Sequence, residues 1–253
     1  MELRPGYKQT EVGMIPEDWQ VETLARVCEP KGIVRGPFGG ALKKETFVPT
    51  GFKVYEQRNA IYKSCAAGSY FIDQSKYSEM QRFRVAPGDF IVSCSGTIGC
   101  IYMLPQDAPE GVINQALLKL RINSAVAATE FFYAYFGWEN FQAEIVDSTQ
   151  GGAMKNLVGM HVFKNTPIAL PPLAEQNAIA SALSDLNAQL SSLDDLLCKK
   201  RNIKQAELIK TDSLDSALEA FLDQKLDVLA GLKPRLLSDI EQVPGGRILD
   251  GKF

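Results

Sequence analysis

The chain contains 253 residues, of which 45% are hydrophobic and 23% are charged, and its formal net charge is −3. These values are typical of a globular protein with one or two domains. They exclude a transmembrane helix, because no apolar run reaches ~18 residues. The polar N-terminal segment also lacks the apolar core of a signal peptide, so we expect a cytoplasmic protein.

Metal binding and catalysis find little support in the sequence. Five cysteines are scattered without a CxxC pair, and His161 is the single histidine, so neither a zinc site nor a disulfide framework is expected. Asp89, Glu110 and the other carboxylates form no convincing nuclease constellation. No phosphate-binding loop and no S-adenosylmethionine loop is found. We therefore expect no catalytic residue, no metal ligand and no cofactor on this chain.

Residues 1–170 are expected to form a mixed α+β domain, in which short strands alternate with turns rich in Gly and Pro. Strands are predicted at Phe47–Val48, Lys53–Tyr55, Ser69–Ile72, Asp89–Cys94, Gly99–Leu104, Ala116–Arg121 and Thr166–Leu170. The two runs that flank the Gly-containing loop at 95–99 predict a β-hairpin. Helices are predicted over Asp18–Val27 and Ala127–Asp147, and we expect the aromatic residues of the second helix to pack in the core.

Basic residues concentrate between positions 31 and 84, where ten lysines and arginines stand against four acidic residues, a net charge of +6. A basic face on an otherwise acidic chain is typical of a nucleic-acid-binding surface, although chance clustering on a solvated surface gives the same pattern. The basic candidates for DNA contact are Arg35, Lys43, Lys44, Arg58, Arg82 and Arg84.

Two loops add uncharged candidates for DNA contact. The hydroxyl groups of the first loop either contact DNA or satisfy the hairpin's own backbone, and they belong to Ser93, Ser95 and Thr97. The second loop contains Gly151-Gly152 and either contacts phosphates and bases or simply connects a helix to a strand. Its candidates are Gln150, Lys155 and Asn156.

A long helix is predicted at 173–210, because these residues contain neither Gly nor Pro and follow Pro171 and Pro172. Apolar residues recur in it at alternating steps of four and three, which is the seam of a coiled coil. The seam residues are Ile179, Leu183, Leu186, Leu190, Leu193 and Leu197. Such a seam needs a partner helix from the same chain, from a second copy or from another protein.

Apolar residues between 214 and 232 predict a further amphipathic helical stretch, which either continues the long helix or folds back on it. The predicted organisation is therefore a globular domain at 1–170, a helical spacer and dimerisation region at 171–235, and a tail at 236–253.

Several motifs resemble the specificity subunits of type I restriction–modification systems. Pro-Leu-Ala-Glu-Gln at 172–176 and Lys-Lys-Arg-Asn-Ile-Lys-Gln at 199–205 resemble the family's helical spacer. Ile-Pro-Glu-Asp-Trp at 15–19 resembles the start of a target-recognition domain. Pro-Gly-Asp-Phe-Ile-Val-Ser at 87–93 and Val-Ile-Asn-Gln at 112–115 resemble its middle. The resemblance covers roughly residues 8–210.

The resemblance implies a non-catalytic subunit that recognises double-stranded DNA. Family members carry two recognition domains, whereas no second domain start is visible here, so the resemblance implies a homodimer that reads inverted half-sites. It also implies modification (methyltransferase) subunits that dock on the chain and use S-adenosylmethionine, and a restriction subunit that can join them.

Three alternatives stay open at this point. A coiled-coil scaffold that binds protein predicts no DNA binding at low salt. A nuclease with an unrecognised site predicts metal-dependent cleavage of DNA by the pure chain. A truncated, non-functional specificity subunit is not distinguished by sequence from a natural half-length subunit.

Overall fold

The computed structural model describes residues 5–38, 40–147, 156–207 and 221–227. Two compact units are present. The larger one spans Gln20–Ala180, and the smaller one contains the described residues outside that range. The larger unit therefore extends ten residues beyond the domain end predicted at 170, and the chain before Gln20 belongs to the other unit.

The strands, in chain order, are β1 Tyr7–Thr10, β2 Gly13–Pro16, β3 Gln20–Thr23, β4 Val34–Arg35, β5 Phe47–Val48, β6 Phe52–Tyr55, β7 Phe71–Ile72, β8 Arg84–Val85, β9 Phe90–Ser93, β10 Ile101–Met103, β11 Gly111–Ile113, β12 Leu117–Leu120, β13 Val146–Asp147, β14 Asn156–Leu157 and β15 Pro167–Leu170. The α-helices are α1 Leu24–Val27, α2 Gln57–Ile61, α3 Gln74–Glu79, α4 Thr129–Gly137, α5 Glu139–Ile145, α6 Met160–Asn165 and α7 Leu173–Glu207. Two 3-10 turns occupy Lys44–Thr46 and Gln81–Phe83.

Two sheets organise the larger unit. One has the strand order β10-β9-β12-β4, and the other has the order β5-β7-β6-β11-β8. Strands β9 and β10 form the predicted antiparallel hairpin, with Ile101 opposite Val92. Strands β6 and β11 pair in parallel, with Val112 beside Val54. The carboxyl ends of β6 and β11 therefore meet at one edge of the second sheet.

Strand β9 separates two hydrophobic cores. Successive side chains of a strand point to opposite faces of the sheet. Phe90 and Val92 accordingly lie in one core, and Ile91 lies in the other with Leu117. All four residues of β9 are buried, which explains why Phe90–Val92 form a continuous apolar run rather than an alternating pattern.

The helix predicted over Ala127–Asp147 is two helices followed by a strand. Trp138, between α4 and α5, has an extended backbone with φ −68° and ψ 133°, and the last two residues pair with β14. The expected role of the aromatic residues is confirmed, because Phe132, Phe136 and Phe141 are all buried in the first core. The two helices therefore act as one aromatic layer with a bend.

The helix predicted over Asp18–Val27 is wrong in its first half. Residues Gln20–Thr23 form β3, which pairs antiparallel with β15, and only Leu24–Val27 are helical. Pairing with a strand almost 150 residues away provides backbone hydrogen bonds that the local sequence pattern does not reveal.

The long helix is confirmed. Helix α7 begins at Leu173, directly after Pro171-Pro172, and continues for 35 residues to Glu207, a length of about 52 Å. Its start is anchored by Gln176, whose side chain is 1% exposed. The Gln176 amide accepts a hydrogen bond from Ala128 N at 2.8 Å and donates to Pro171 O and Val126 O at 2.9 and 3.2 Å. All of these groups lie in the larger unit.

Candidate nucleic-acid interface

A cavity of about 680 Å³ opens where the parallel strands β6 and β11 end. Glu56 follows β6 and Asn114 follows β11, and the Asn114 N–H donates to Tyr55 O at 2.9 Å across the strand ends. The other lining residues come from the end of β4 and the chain after it, from helix α2 and the residue that follows it, from the β9–β10 loop and from the β11–β12 connection. They are Arg35, Phe38, Gln57, Arg58, Ile61, Tyr62, Ser95, Gln115 and Ala116.

A second cavity of about 220 Å³ shares Glu56, Asn114 and Gln115 with the first. Lys44, Tyr70 and the apolar residues Leu42, Phe47 and Val54 contribute to its wall. The two cavities therefore share part of their walls, and Arg35 and Arg58 line the first whereas Lys44 lines the second.

Asn59 connects helix α2 to the loop that follows it. It is fully buried, accepts from Glu56 N at 2.8 Å, and donates to Ser64 O and Ala67 O at 2.8 and 2.6 Å. All hydrogen-bonding positions of its amide are therefore in use, except one acceptor lone pair. These bonds fix helix α2 and the residue after it, which hold Gln57, Arg58 and Tyr62 at the cavity.

Gly36 allows the opposite wall to approach closely. A Cβ atom at this position would overlap the Asn114 carbonyl, so only glycine lets the chain after β4 pass so near to the end of β11. The neighbouring Arg35 is thereby placed in the same cavity wall as Asn114.

The electrostatics of the cavity are mainly basic. Arg58 Nε lies 3.4 Å from Glu56 Oε2, and the Arg58 side chain is 55% exposed, so its guanidinium can still reach a ligand. Cys94, next to the lining residue Ser95, is buried, and burial raises the pKa of its thiol to about 12. The Cys94 thiol therefore stays neutral, and the cavity itself presents donors for anions and polar groups for bases.

A family model described as the type I restriction modification DNA specificity domain matches residues 16–196. The chain belongs to this family. The matched range includes both sheets, the cavity and the first 24 residues of helix α7.

A sequence relative is named as the MjaX specificity subunit of a type I restriction enzyme from Methanocaldococcus jannaschii. It is 24% identical over 195 residues, which cover 74% of this chain and 44% of the relative. One similar solved structure concerns complex assembly and conformational transition of the type I R-M system, with 19% identity, a TM-score of 0.57, and coverage of 83% of this chain and 46% of that chain. Another is the HsdS subunit from Thermoanaerobacter tengcongensis, with 20% identity, a TM-score of 0.57, and coverage of 77% and 48%. The two structures share the fold, and the chain spans about half the length of the relatives that it matches.

The sequence-predicted contact residues of this specificity domain separate into four groups, of which the first three follow here. Arg35, Arg58 and Ser95 come together in the large cavity, and Lys44 lines the neighbouring one. Lys43, Thr97 and Arg82 are exposed but line neither cavity. Gln150 and Lys155 lie outside the described residues, and so does the side chain of Asn156.

Ser93 and Arg84 serve the fold rather than an exposed surface. Ser93 is fully buried, and its hydroxyl accepts from Cys100 N at 3.0 Å inside the hairpin. The guanidinium of Arg84 lies 3.9 Å from the centre of the Tyr77 ring, and it also donates to Tyr77 O at 3.2 and 3.1 Å. For Ser93, the alternative in which the loop satisfies its own backbone is the one that the structure adopts.

The sequence analysis did not identify Gln57, Gln115 or the exposed aromatic side chains at the rim of the cavity. Phe38 is 73% exposed and Tyr62 is 74% exposed, and both line the large cavity. The Val-Ile-Asn-Gln motif at 112–115 was an available signal, because it ends at the carboxyl end of a buried strand. Gln57 carried no such signal, since only the parallel pairing of β6 with β11 brings it to the site.

The residues of the helix α7 seam differ in their exposure. Ile179 packs against the first core, so the seam that remains for a partner begins at Leu183. Leu183 and Leu190 are 37% and 50% exposed, and the other seam residues Leu186, Leu193 and Leu197 are partly buried.

Within the described parts of the chain, no group of three or more His, Cys, Asp or Glu side chains is arranged to hold a metal ion. None of the described helices combines the length and the apolar character that crossing a membrane requires.

Proposed function

We propose that this chain is a non-catalytic DNA sequence-recognition component of a type I restriction–modification system. The family match over residues 16–196 carries the proposal. The basic, amide-rich cavity supports it, because arginine and lysine suit phosphates and guanine, and glutamine or asparagine suits adenine. In this proposal the cavity and its exposed surroundings contact one half of a two-part DNA target.

The helical region would pair two copies of the chain. The exposed leucines of helix α7 follow a coiled-coil spacing. A two-fold dimer presents two identical recognition domains, so its half-sites are inverted repeats. Modification subunits carrying S-adenosylmethionine would dock on this dimer in the cytoplasm, and a restriction subunit can join them.

Selection from a random duplex library tests the proposal. The purified chain is incubated with the library at low salt, and the retained DNA is sequenced. The expected result is an inverted motif interrupted by unread bases. The proposal is contradicted if no motif is enriched by the chain alone or together with its methyltransferase subunit. Cleavage of the library in the presence of Mg²⁺ by the pure chain would instead favour a nuclease.

A further inference from the structure

Two aromatic side chains at the rim of the large cavity are open to solvent. Phe38 is 73% exposed and Tyr62 is 74% exposed, and both line the cavity. Neither ring belongs to one of the three hydrophobic cores of the described chain. Tyr70, by comparison, is 41% exposed and stacks on Phe47 with the ring centres 4.5 Å apart. A single exposed apolar residue needs no explanation, whereas two large rings at one cavity indicate a binding site.

The backbone that carries the two rings is held in place. Tyr62 directly follows helix α2, and its N–H donates to Arg58 O at 2.9 Å. Phe38 follows Pro37, which is buried and whose ring fixes the φ angle of the chain at that point. Each aromatic side chain therefore stands on a fixed support, so little backbone freedom is lost when it binds a partner.

The size and the charge of the cavity favour a nucleobase as the occupant. Its volume of about 680 Å³ lies within the range of roughly 300–1,000 Å³ that small-ligand sites have. Most of the remaining lining residues are polar, and Arg35 and Arg58 are cationic. An apolar peptide would need an apolar groove. Rings beside arginines suit a base, because the rings stack on its face and the arginines attract its phosphates.

We propose that Phe38 and Tyr62 stack on a base of the target DNA and hold one base step of each half-site unstacked at this cavity. Every base has a π-face, so this contact fixes the position of the DNA rather than its sequence. Side chains that enter a base step also kink the duplex. The inference rests on the proposed function, because it assumes that the cavity faces DNA.

The first readout is the affinity of ring variants for the motif that the wild-type chain enriches from the duplex library. Fluorescence anisotropy measures it at constant salt, under the conditions that enriched the motif. Phe38→Ala and Tyr62→Ala should each weaken binding roughly 5- to 150-fold. Phe38→Tyr and Tyr62→Phe keep an aromatic ring and should bind within about twofold of the wild type. Trp138→Leu is the matched control, since Trp138 is 43% exposed but lines neither cavity.

The second readout tests whether a base leaves the stack. Duplexes with the motif are synthesised in which one base at a time is removed from one strand, so that the opposite base is unpaired. At one position per half-site, the unpaired base should raise the affinity of the wild-type chain roughly tenfold, because pairing no longer holds that base in the stack. For the variant with both Phe38→Ala and Tyr62→Ala, the same duplex should bind within about twofold of the fully paired one.

The inference requires both results. If a motif is enriched, but the alanine variants bind it as the wild type does or no unpaired base raises the affinity, the inference is wrong and DNA recognition stands. Variants that keep their DNA affinity but bind the methyltransferase subunit more weakly would show that the rings contact protein, which also overturns the inference. Thermal melting verifies that each variant is folded, and the unpaired-base scan of the wild-type chain needs no variant. If no motif is enriched at all, the proposed function fails, and the inference fails with it.

Discussion

Replacing Gln176 with alanine should release helix α7 from the recognition domain and destabilise that domain. The side chain is almost completely buried and connects the first turn of α7 to the chain before α4. Its removal leaves Ala128 N, Val126 O and Pro171 O without their hydrogen-bond partner. Water cannot replace the amide readily at a site this buried.

The magnitude follows from the three lost hydrogen bonds. Each contributes a net ~1 kcal/mol, so the free energy of unfolding should fall by about 3 kcal/mol. The unit Gln20–Ala180 belongs to a size range in which 1 kcal/mol corresponds to roughly 2–4 °C in melting temperature. The expected decrease is therefore about 6–12 °C.

Thermal unfolding followed by circular dichroism measures this effect, and urea unfolding gives the free energy independently. Asn177→Ala is the matched control, because Asn177 is the exposed neighbour on the same helical turn and should change stability by less than ~0.5 kcal/mol. A Gln176→Ala protein that melts within 2 °C of the Asn177→Ala protein would refute the argument that these hydrogen bonds anchor the helix.

Three further changes test other parts of the molecule. Lys43→Ala with Lys44→Ala should weaken binding to all DNA sequences alike. The slope of log K against log salt concentration should fall in magnitude by up to about 2, because two phosphate contacts are lost. An unchanged slope in a salt titration would contradict the assignment of these lysines to phosphate contacts. Leu186→Asp with Leu190→Asp should give monomers in sedimentation experiments, and a persisting dimer mass would show that the seam is not the interface. Asp89→Asn should lower the free energy of unfolding by about 2 kcal/mol, because the buried carboxylate loses its charge-assisted bonds at 2.6 and 2.8 Å to the partly exposed Arg121. Urea unfolding measures this free energy, and an unchanged value would contradict the prediction.

The β9–β10 hairpin and the long helix were predictable because their sequence patterns are local. The apolar run at 90–92 is buried on both faces, and the Pro-Pro pair directly precedes the first residue of α7. The strand at 20–23 was not predictable in this way, since its partner β15 lies almost 150 residues further along the chain. The bend at Trp138 likewise depends on the backbone conformation of one residue between two helical segments.

The cavity was predictable only in part, for the same physical reason. Arg35 and Arg58 stand out as basic residues within a glycine-containing, basic segment, and both line the cavity. Glu56 and Gln57 do not stand out, because only the parallel pairing of β6 with β11 brings them to the cavity. Residue type alone gives the chemistry of a side chain, whereas its partners are known only after folding.

The charge available to DNA is smaller than the basic segment implies. Lys53 is 4% exposed and donates to Gly68 O at 3.1 Å, and burial lowers the pKa of its ammonium group. Arg84 is similarly engaged with Tyr77. Two of the ten basic residues between 31 and 84 therefore stabilise the fold, and phosphate binding must rely on the others. Each phosphate contact adds about 0.9 to the slope of log K against log salt concentration. This slope therefore gives the number of basic residues that contact phosphates, whereas the net charge of +6 in the sequence does not.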